Sequence, residues 1–113
     1  MGLFKNKKKE EYKSAVRRWL PKMGIPGFDE IGILPVYDMI DTGYKNKFTT
    51  FETVLCFTYS CIPKLAKKDM RSAIALYERT AKKQEEWLKT GLVTQEVVGS
   101  FKEMTLVHLD YKR

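Results

Sequence analysis

The chain has 113 residues, of which 43% are apolar and 31% charged, the balance of one folded globular domain. It contains no apolar run of the ~18–20 residues that a membrane-spanning helix needs, and its lysine-rich start is not that of a cleaved signal peptide. Two cysteines are too few for a disulfide scaffold, so we expect a small, intracellular, basic domain.

The positive charge is concentrated at one end of the chain. Residues 1–24 hold eight basic and two acidic residues, a net charge of +6, whereas residues 25–113 hold 13 basic and 12 acidic residues, a net +1. This asymmetry indicates a polyanionic partner, either anionic lipid or nucleic acid. We therefore divide the chain into a basic N-terminal arm (1–24) and a globular domain (25–113).

The first predicted element is an amphipathic helix over residues 8–20. Tyr12, Ala15, Val16 and Trp19 recur at helical spacing, and Pro21 then ends the helix. Farther on, Pro35 argues against a helix interior in the apolar stretch 31–40, so Val36, Tyr37 and Ile40 predict an edge strand instead.

Two long helices are predicted in the middle of the chain. Thr49 and Glu52 have the spacing of a capping box, which favours a helix that stops before Pro63, although its many β-branched and aromatic residues leave a strand open. Asp69 suits the N-cap of a second helix that ends near Thr90. The predicted apolar stripe of this second helix is Met70, Ile74, Tyr77, Ala81 and Leu88.

The C-terminal segment predicts a short helix after Thr94 and then a strand. Val107, Leu109 and Tyr111 alternate with polar residues over 105–111, the pattern of a strand, with a helix to the end as the competitor. The predicted fold is therefore a single α+β domain with helices packed on a small antiparallel sheet. An all-α bundle is the alternative.

The residue inventory offers no catalytic or metal-binding set. The chain has one histidine, His108, and its cysteines, Cys56 and Cys61, are expected to be buried reduced thiols. Phosphate-binding glycine loops and hydrolase motifs are missing from the sequence. We therefore expect a protein that is not an enzyme and that needs no cofactor or metal.

The N-terminus combines three features of a peripheral membrane protein. Gly2 follows Met1 and is a candidate for N-myristoylation, although Asn6 stands where the pattern has Ser or Thr. Because one myristoyl chain binds membranes only marginally, at about 10⁴ M⁻¹, nearby basic residues would supply the second signal, and Leu3 and Phe4 could insert. The predicted membrane-binding or polyanion-binding residues are Leu3, Phe4, Lys5, Lys7, Lys8, Lys9, Lys13, Arg17, Arg18 and Lys22.

This layout resembles that of small viral matrix proteins. The Met-Gly start and the basic N-terminus resemble retroviral matrix domains, and residues 44–80 are similar to the central segment of rhabdovirus matrix proteins. The chain is much shorter than the rhabdovirus proteins, and its Leu34-Pro35-Val36-Tyr37 has only one proline of their Pro-Pro-x-Tyr motif. The resemblance implies a protein on the cytoplasmic face of a host or virion membrane that self-associates or bridges lipid to nucleoprotein.

Two other functions compete with this interpretation. A nucleic-acid-binding protein would use the same arm together with Lys64, Lys67, Lys68 and Arg71 on RNA phosphates. A viral accessory or adaptor protein would act through protein contacts, with the arm only adding solubility. We rank membrane binding first because the arm lacks the interleaved aromatic residues of single-strand readers.

Overall fold

The structure, a computed structural model, describes residues 2–109, and the side chains of 7–107 and 109. Two short 3₁₀ turns, Leu20–Met23 and Phe28–Glu30, connect the first two of its helices. The helices are α1 (Gly2–Trp19), α2 (Ile33–Lys45), α3 (Thr50–Lys68), α4 (Met70–Lys89) and α5 (Gln95–Leu109). Residues 2–109 contain no strand, so the predicted α+β fold with its antiparallel sheet is wrong, and the fold is a helical bundle.

The bundle is built around α3, which contacts each of the other four helices. Its long apolar face is fully buried at Val54, Leu55 and Ile62. From α1 and the turn after it, Val16, Leu20 and Met23 enter the same hydrophobic core. The second half of the basic N-terminal segment is thus packed into the core that the rest of the chain forms.

The predicted capping box starts α3 and also organises the start of α5. The Thr49 hydroxyl accepts the Glu52 amide at 3.1 Å, and Glu52 Oε1 accepts the Thr49 amide at 2.8 Å. Glu52 Oε2 accepts both the amide and the hydroxyl of Thr94, at 2.8 and 2.9 Å, just before α5 begins. One buried carboxylate, 2% exposed, therefore caps two helices.

The predicted end of α3 before Pro63 is wrong, because the helix continues to Lys68. A proline inside a helix costs a hydrogen bond and some strain, ~3 kcal/mol. The turn beyond it carries Leu65 and Ala66, which pack against the core and offset that cost. Tertiary packing has overridden the local preference.

The predicted edge strand at 31–40 is also wrong, because this segment begins α2. Pro35 is the third residue of the helix, in the first turn, where the amides have no carbonyl partner within the helix. Val36, Ile40 and Gly43 are buried, at helical rather than alternating spacing. The proline thus lies where a helix tolerates it.

The structure confirms the helix after Asp69 and corrects its buried face. Asp69 accepts the Ser72 amide, as an N-cap does. Met70 and Ile74 of the predicted stripe are 43% and 38% exposed. The buried positions are instead Ala73, Leu76, Thr80, Gln84 and Trp87. Two of these buried residues, Thr80 and Gln84, are polar, so apolar residues alone do not show the helical period of the buried face.

The predicted C-terminal strand is wrong over its described part, 105–109, which belongs to α5; residues 110 and 111 lie outside the described residues. The buried residues Val98, Thr105 and Leu109 follow a helical spacing, and Val107 is 77% exposed. Thr105 is accommodated in the interior because its hydroxyl donates to the Phe101 carbonyl at 2.8 Å.

Candidate polyanion-binding site

The basic residues of α1 divide into a face that contacts α2 and a face that points to solvent. Lys9, Lys13 and Arg17 recur every four residues and therefore lie along one side of the helix. They meet Tyr37, Asp41 and Tyr44 of α2, which runs antiparallel to α1.

The contacts that these basic residues of α1 make with α2 are ionic and cation–π in character. Lys9 Nζ lies 2.9 Å from Asp41 Oδ1 and 5.8 Å from the centroid of the Tyr44 ring. Lys13 Nζ and Arg17 Cζ lie 5.1 and 5.7 Å from the centroid of the Tyr37 ring. These three cations are thus already engaged within the protein, and an external anion would have to share them.

The opposite face of α1 leaves other cations exposed. Lys7, Lys8 and Arg18 are exposed, and Lys7 and Arg18 lie on the side away from Val16. Lys22 follows in the 3₁₀ turn, with its Nζ 4.6 Å from the centroid of the Trp19 ring. The side chains of Leu3, Phe4 and Lys5 lie outside the described residues, and Gly2 is the first residue of α1.

The four residues named for phosphate binding are only partly brought together. Lys64, Lys67 and Lys68, near the end of α3, all line one open groove of about 650 Å³. Arg71 lies in the first turn of α4 and does not line it. We define the basic groove by these three lysines and the apolar residues that line it with them, which are Ile25, Pro26, Ile31, Pro35, Phe57 and Leu65.

The groove also has polar lining residues of limited reactivity. Ser60, Glu30 and Cys61 complete its wall, and burial raises the pKa of the Cys61 thiol to about 11, so that it stays protonated at neutral pH. Burial likewise raises the pKa of the Cys56 thiol. Both cysteines are free thiols, and they are half-buried.

The described residues offer no assembled metal centre and no membrane-crossing helix. Within residues 2–109, no group of three or more His, Cys, Asp or Glu side chains is arranged to hold a metal ion. None of the helices there is both long enough and apolar enough to traverse a bilayer. The surfaces described above present Lys and Arg side chains beside apolar groups, a combination suited to binding anions.

Sequence reasoning missed the groove because its walls come from distant segments. Ile25 and Ile31 belong to the connection between α1 and α2, whereas Phe57 and Leu65 belong to α3. The only local signal was the spacing of Lys64, Lys67 and Lys68, which places them on one side of a helix.

Comparison with known proteins identifies no relative of this chain. No protein-family model matches the chain, and neither the curated proteins nor the solved structures contain a match.

Proposed function

We propose that this chain is a non-enzymatic peripheral membrane protein of the matrix type that binds anionic membrane through its basic N-terminal segment. The observation that carries the proposal is the placement of charge. Six of the seven net positive charges lie in residues 1–24, and Lys7, Lys8 and Arg18 of that segment are exposed on α1.

The packing of α1 supports this function energetically. Each basic residue near an anionic bilayer contributes about 1 kcal/mol, so three exposed cations contribute enough to hold a protein that has a further anchor. Because Val16 and Leu20 fix α1 in the core, its outer cations are presented on an ordered helix and lose little additional backbone entropy on binding. A myristoyl group on Gly2 would supply the further anchor.

Assembly with copies of itself or with nucleoprotein is the second half of the proposed role. An apolar surface on α5 supports this assembly role, because Met104 and Val107 there are 68% and 77% exposed. They lie three residues apart and thus on one side of the helix. Side chains of this kind are used at protein contacts.

Vesicle pelleting with matched charge variants tests the membrane function. The substitutions K7Q, K8Q and R18Q remove three charges from α1, and K82Q, K83Q and K89Q remove three from α4 as the control. On phosphatidylcholine vesicles with roughly 30% phosphatidylserine, we expect the α1 variant to bind at least tenfold more weakly and the control to bind almost as well as the unmodified protein.

Two results would contradict this function. The first is that the unmodified protein ignores these vesicles at about 0.15 M salt, with and without an acylated Gly2. The second is an equal loss of binding in both triple variants, because binding would then depend on net charge and not on α1.

A further inference from the structure

The basic groove joins an apolar wall to a row of cations, which is the chemistry of a site for an amphiphilic anion. We infer that it binds a single anionic phospholipid of the membrane surface, with the phosphate on the lysines and acyl carbons against the apolar wall. The inference rests on the proposed function only for the source of the lipid, because it concerns a different surface from the outer face of α1.

The dimensions and lining of the groove suit such a ligand. Its volume of about 650 Å³ falls within the range of small-molecule sites. Ile25 and Ile31 come from the connection between α1 and α2 and Leu65 comes from α3, so two segments of the chain would shield acyl carbons in the groove from water.

The three lysines form the part of the site that would take the headgroup. Lys64, Lys67 and Lys68 are spaced by three and four residues, so they lie on one face of α3 and repel one another. Among the described residues, no carboxylate lies within 4.0 Å of their ammonium groups. A phosphate would relieve the repulsion among these three charges.

The nearest acidic residue along the chain is already committed to another role. Asp69 follows Lys68, and hydrogen bonds from the side chain and backbone of Ser72 hold the pKa of its carboxyl below the usual value. Its Oδ2 accepts the Ser72 hydroxyl at 2.8 Å. Asp69 therefore caps α4. Glu30, the carboxylate in the groove wall, forms no ion pair with the three lysines, so their charges remain available to a ligand.

Ile33 and Leu34, at the start of α2, form an exposed apolar tip beside the groove, which favours a lipid that is still in a bilayer. Ile33 and Leu34 are 47% and 72% exposed, and they directly precede Pro35, which lines the groove. Apolar side chains next to cations are what an interfacial membrane contact uses. In this orientation the tip would enter the headgroup layer while the lysines meet the phosphates.

The same groove is poorly suited to single-stranded RNA. Readers of single strands stack bases on exposed aromatic rings between their cations. Among the residues that the structure describes, Phe57 is the one aromatic residue lining the groove, and it is 3% exposed. The other apolar residues of the groove are aliphatic, so its exposed surface offers a base no stacking platform.

The first experiment uses dioctanoyl phosphatidic acid as a soluble probe, below its micelle concentration, and follows the methyl NMR signals of Ile25, Ile31 and Leu65. We expect these signals to shift on titration, and we expect K64Q, K67Q and K68Q together to weaken binding at least tenfold. The control variant with K82Q, K83Q and K89Q should bind the probe as the unmodified protein does.

Two further probes separate the parts of the site. Inorganic phosphate and dioctanoyl phosphatidylcholine should each bind at least tenfold more weakly than the phosphatidic acid, because one lacks the acyl chains and the other has no net charge. The inference is overturned if either binds as tightly. It is also overturned if the groove methyl signals stay unchanged, or respond to a single-stranded RNA and not to the lipid.

A second variant separates this inference from the function of α1. The variant K7Q, K8Q and R18Q should keep the affinity for dioctanoyl phosphatidic acid even where it loses vesicle binding. The substitution Leu34→Ser should do the reverse, lowering vesicle binding several-fold with no change for the soluble lipid. If Leu34→Ser leaves vesicle binding intact, the groove does not meet the bilayer and the inference fails.

Discussion

The contact between α1 and α2 and the interior between α3, α4 and α5 stabilise the same bundle with different chemistry. Between α1 and α2, cations lie over tyrosine rings and Lys9 pairs with Asp41, with these groups partly open to water. Between α3, α4 and α5, the contacts are made by side chains that are almost fully buried, such as Leu55, Leu76 and Val98. The first contact should respond to salt and to anions, whereas the second should not.

The interior also contains polar side chains that form hydrogen bonds within it. Thr58 and Thr80 donate their hydroxyls to the carbonyls of Val54 and Leu76 four residues earlier, at 2.8 and 2.7 Å. Tyr59 Oη donates to Gln84 Oε1 at 2.7 Å. Because the Tyr59 hydroxyl and the Gln84 amide are buried, removing one of them leaves the other unsatisfied, so this pair is sensitive to single substitutions.

The largest effect is expected from Glu52→Ala, which removes a buried cap shared by α3 and α5. We expect a loss of about 2–4 kcal/mol in the free energy of unfolding, because the amides of Thr49 and Thr94 lose their acceptor. Urea denaturation measures it, with Glu78→Ala at an exposed position of α4 as the control. A loss no larger than that of the control would contradict the double-cap role.

A second substitution tests the place where α1, α2 and α3 meet. A Cβ atom on Gly43 would collide with the side chain of Thr53 and come within 2.6 Å of Tyr12 Oη, so Gly43→Ala should cost about 1–3 kcal/mol. Gly99→Ala is the matched control, since its Cβ would meet only the flexible end of Gln95. We expect Gly99→Ala to stabilise the protein by up to about 1 kcal/mol, and thermal unfolding of both variants checks the opposite signs.

A smaller, salt-dependent effect is expected from Tyr37→Leu. Leucine keeps the apolar contact but removes the ring beneath Lys13 and Arg17, which should cost about 0.5–1 kcal/mol at low salt and less at high salt. Tyr77→Leu is the control, because the Tyr77 ring packs against Tyr59 in the interior. If the two variants showed equal salt dependence, the contact between α1 and α2 would not differ from the interior in its response to salt.

The smallest perturbation is chemical labelling of Cys61, which leaves the fold intact. Since burial raises the pKa of this thiol from 9.0 to about 11, its thiolate fraction near neutral pH should be about a hundredfold lower than that of a free thiol. Iodoacetamide alkylation followed by mass spectrometry should therefore be slow and should accelerate as the pH rises toward 11. Fast labelling at neutral pH would mean that the groove wall is open.

The sequence predicted those helices whose signals are local. Thr49 with Glu52, and Asp69 at the next helix start, are caps formed by residues within one turn, and α3 and α4 begin where these caps predicted. The face of α1 that carries Tyr12, Val16 and Trp19 was also predicted, since its apolar residues follow the helical period without interruption.

The sequence failed to predict α2 and the second half of α5 for a different physical reason. The polar residue Thr105 is buried in α5 because its hydroxyl donates to the Phe101 carbonyl. Without Thr105, the apolar residues of this segment alternate as they do in a strand. Pro35 argues against a helix when only the sequence is considered, although the first turn of α2 needs no amide hydrogen at that position. Of the two proposed binding surfaces, the charge on α1 is evident in the sequence, whereas the groove depends on packing between distant segments.

The two oxygens of Glu52 also have a consequence for the order of folding. Oε1 reaches an amide three residues away, whereas Oε2 reaches a residue 42 positions away. The first bond can form as soon as one helical turn does, and the second must wait until the intervening chain has closed its loop. A single side chain thus participates in an early and a late step, so hydrogen exchange at Thr49 and Thr94 would time both.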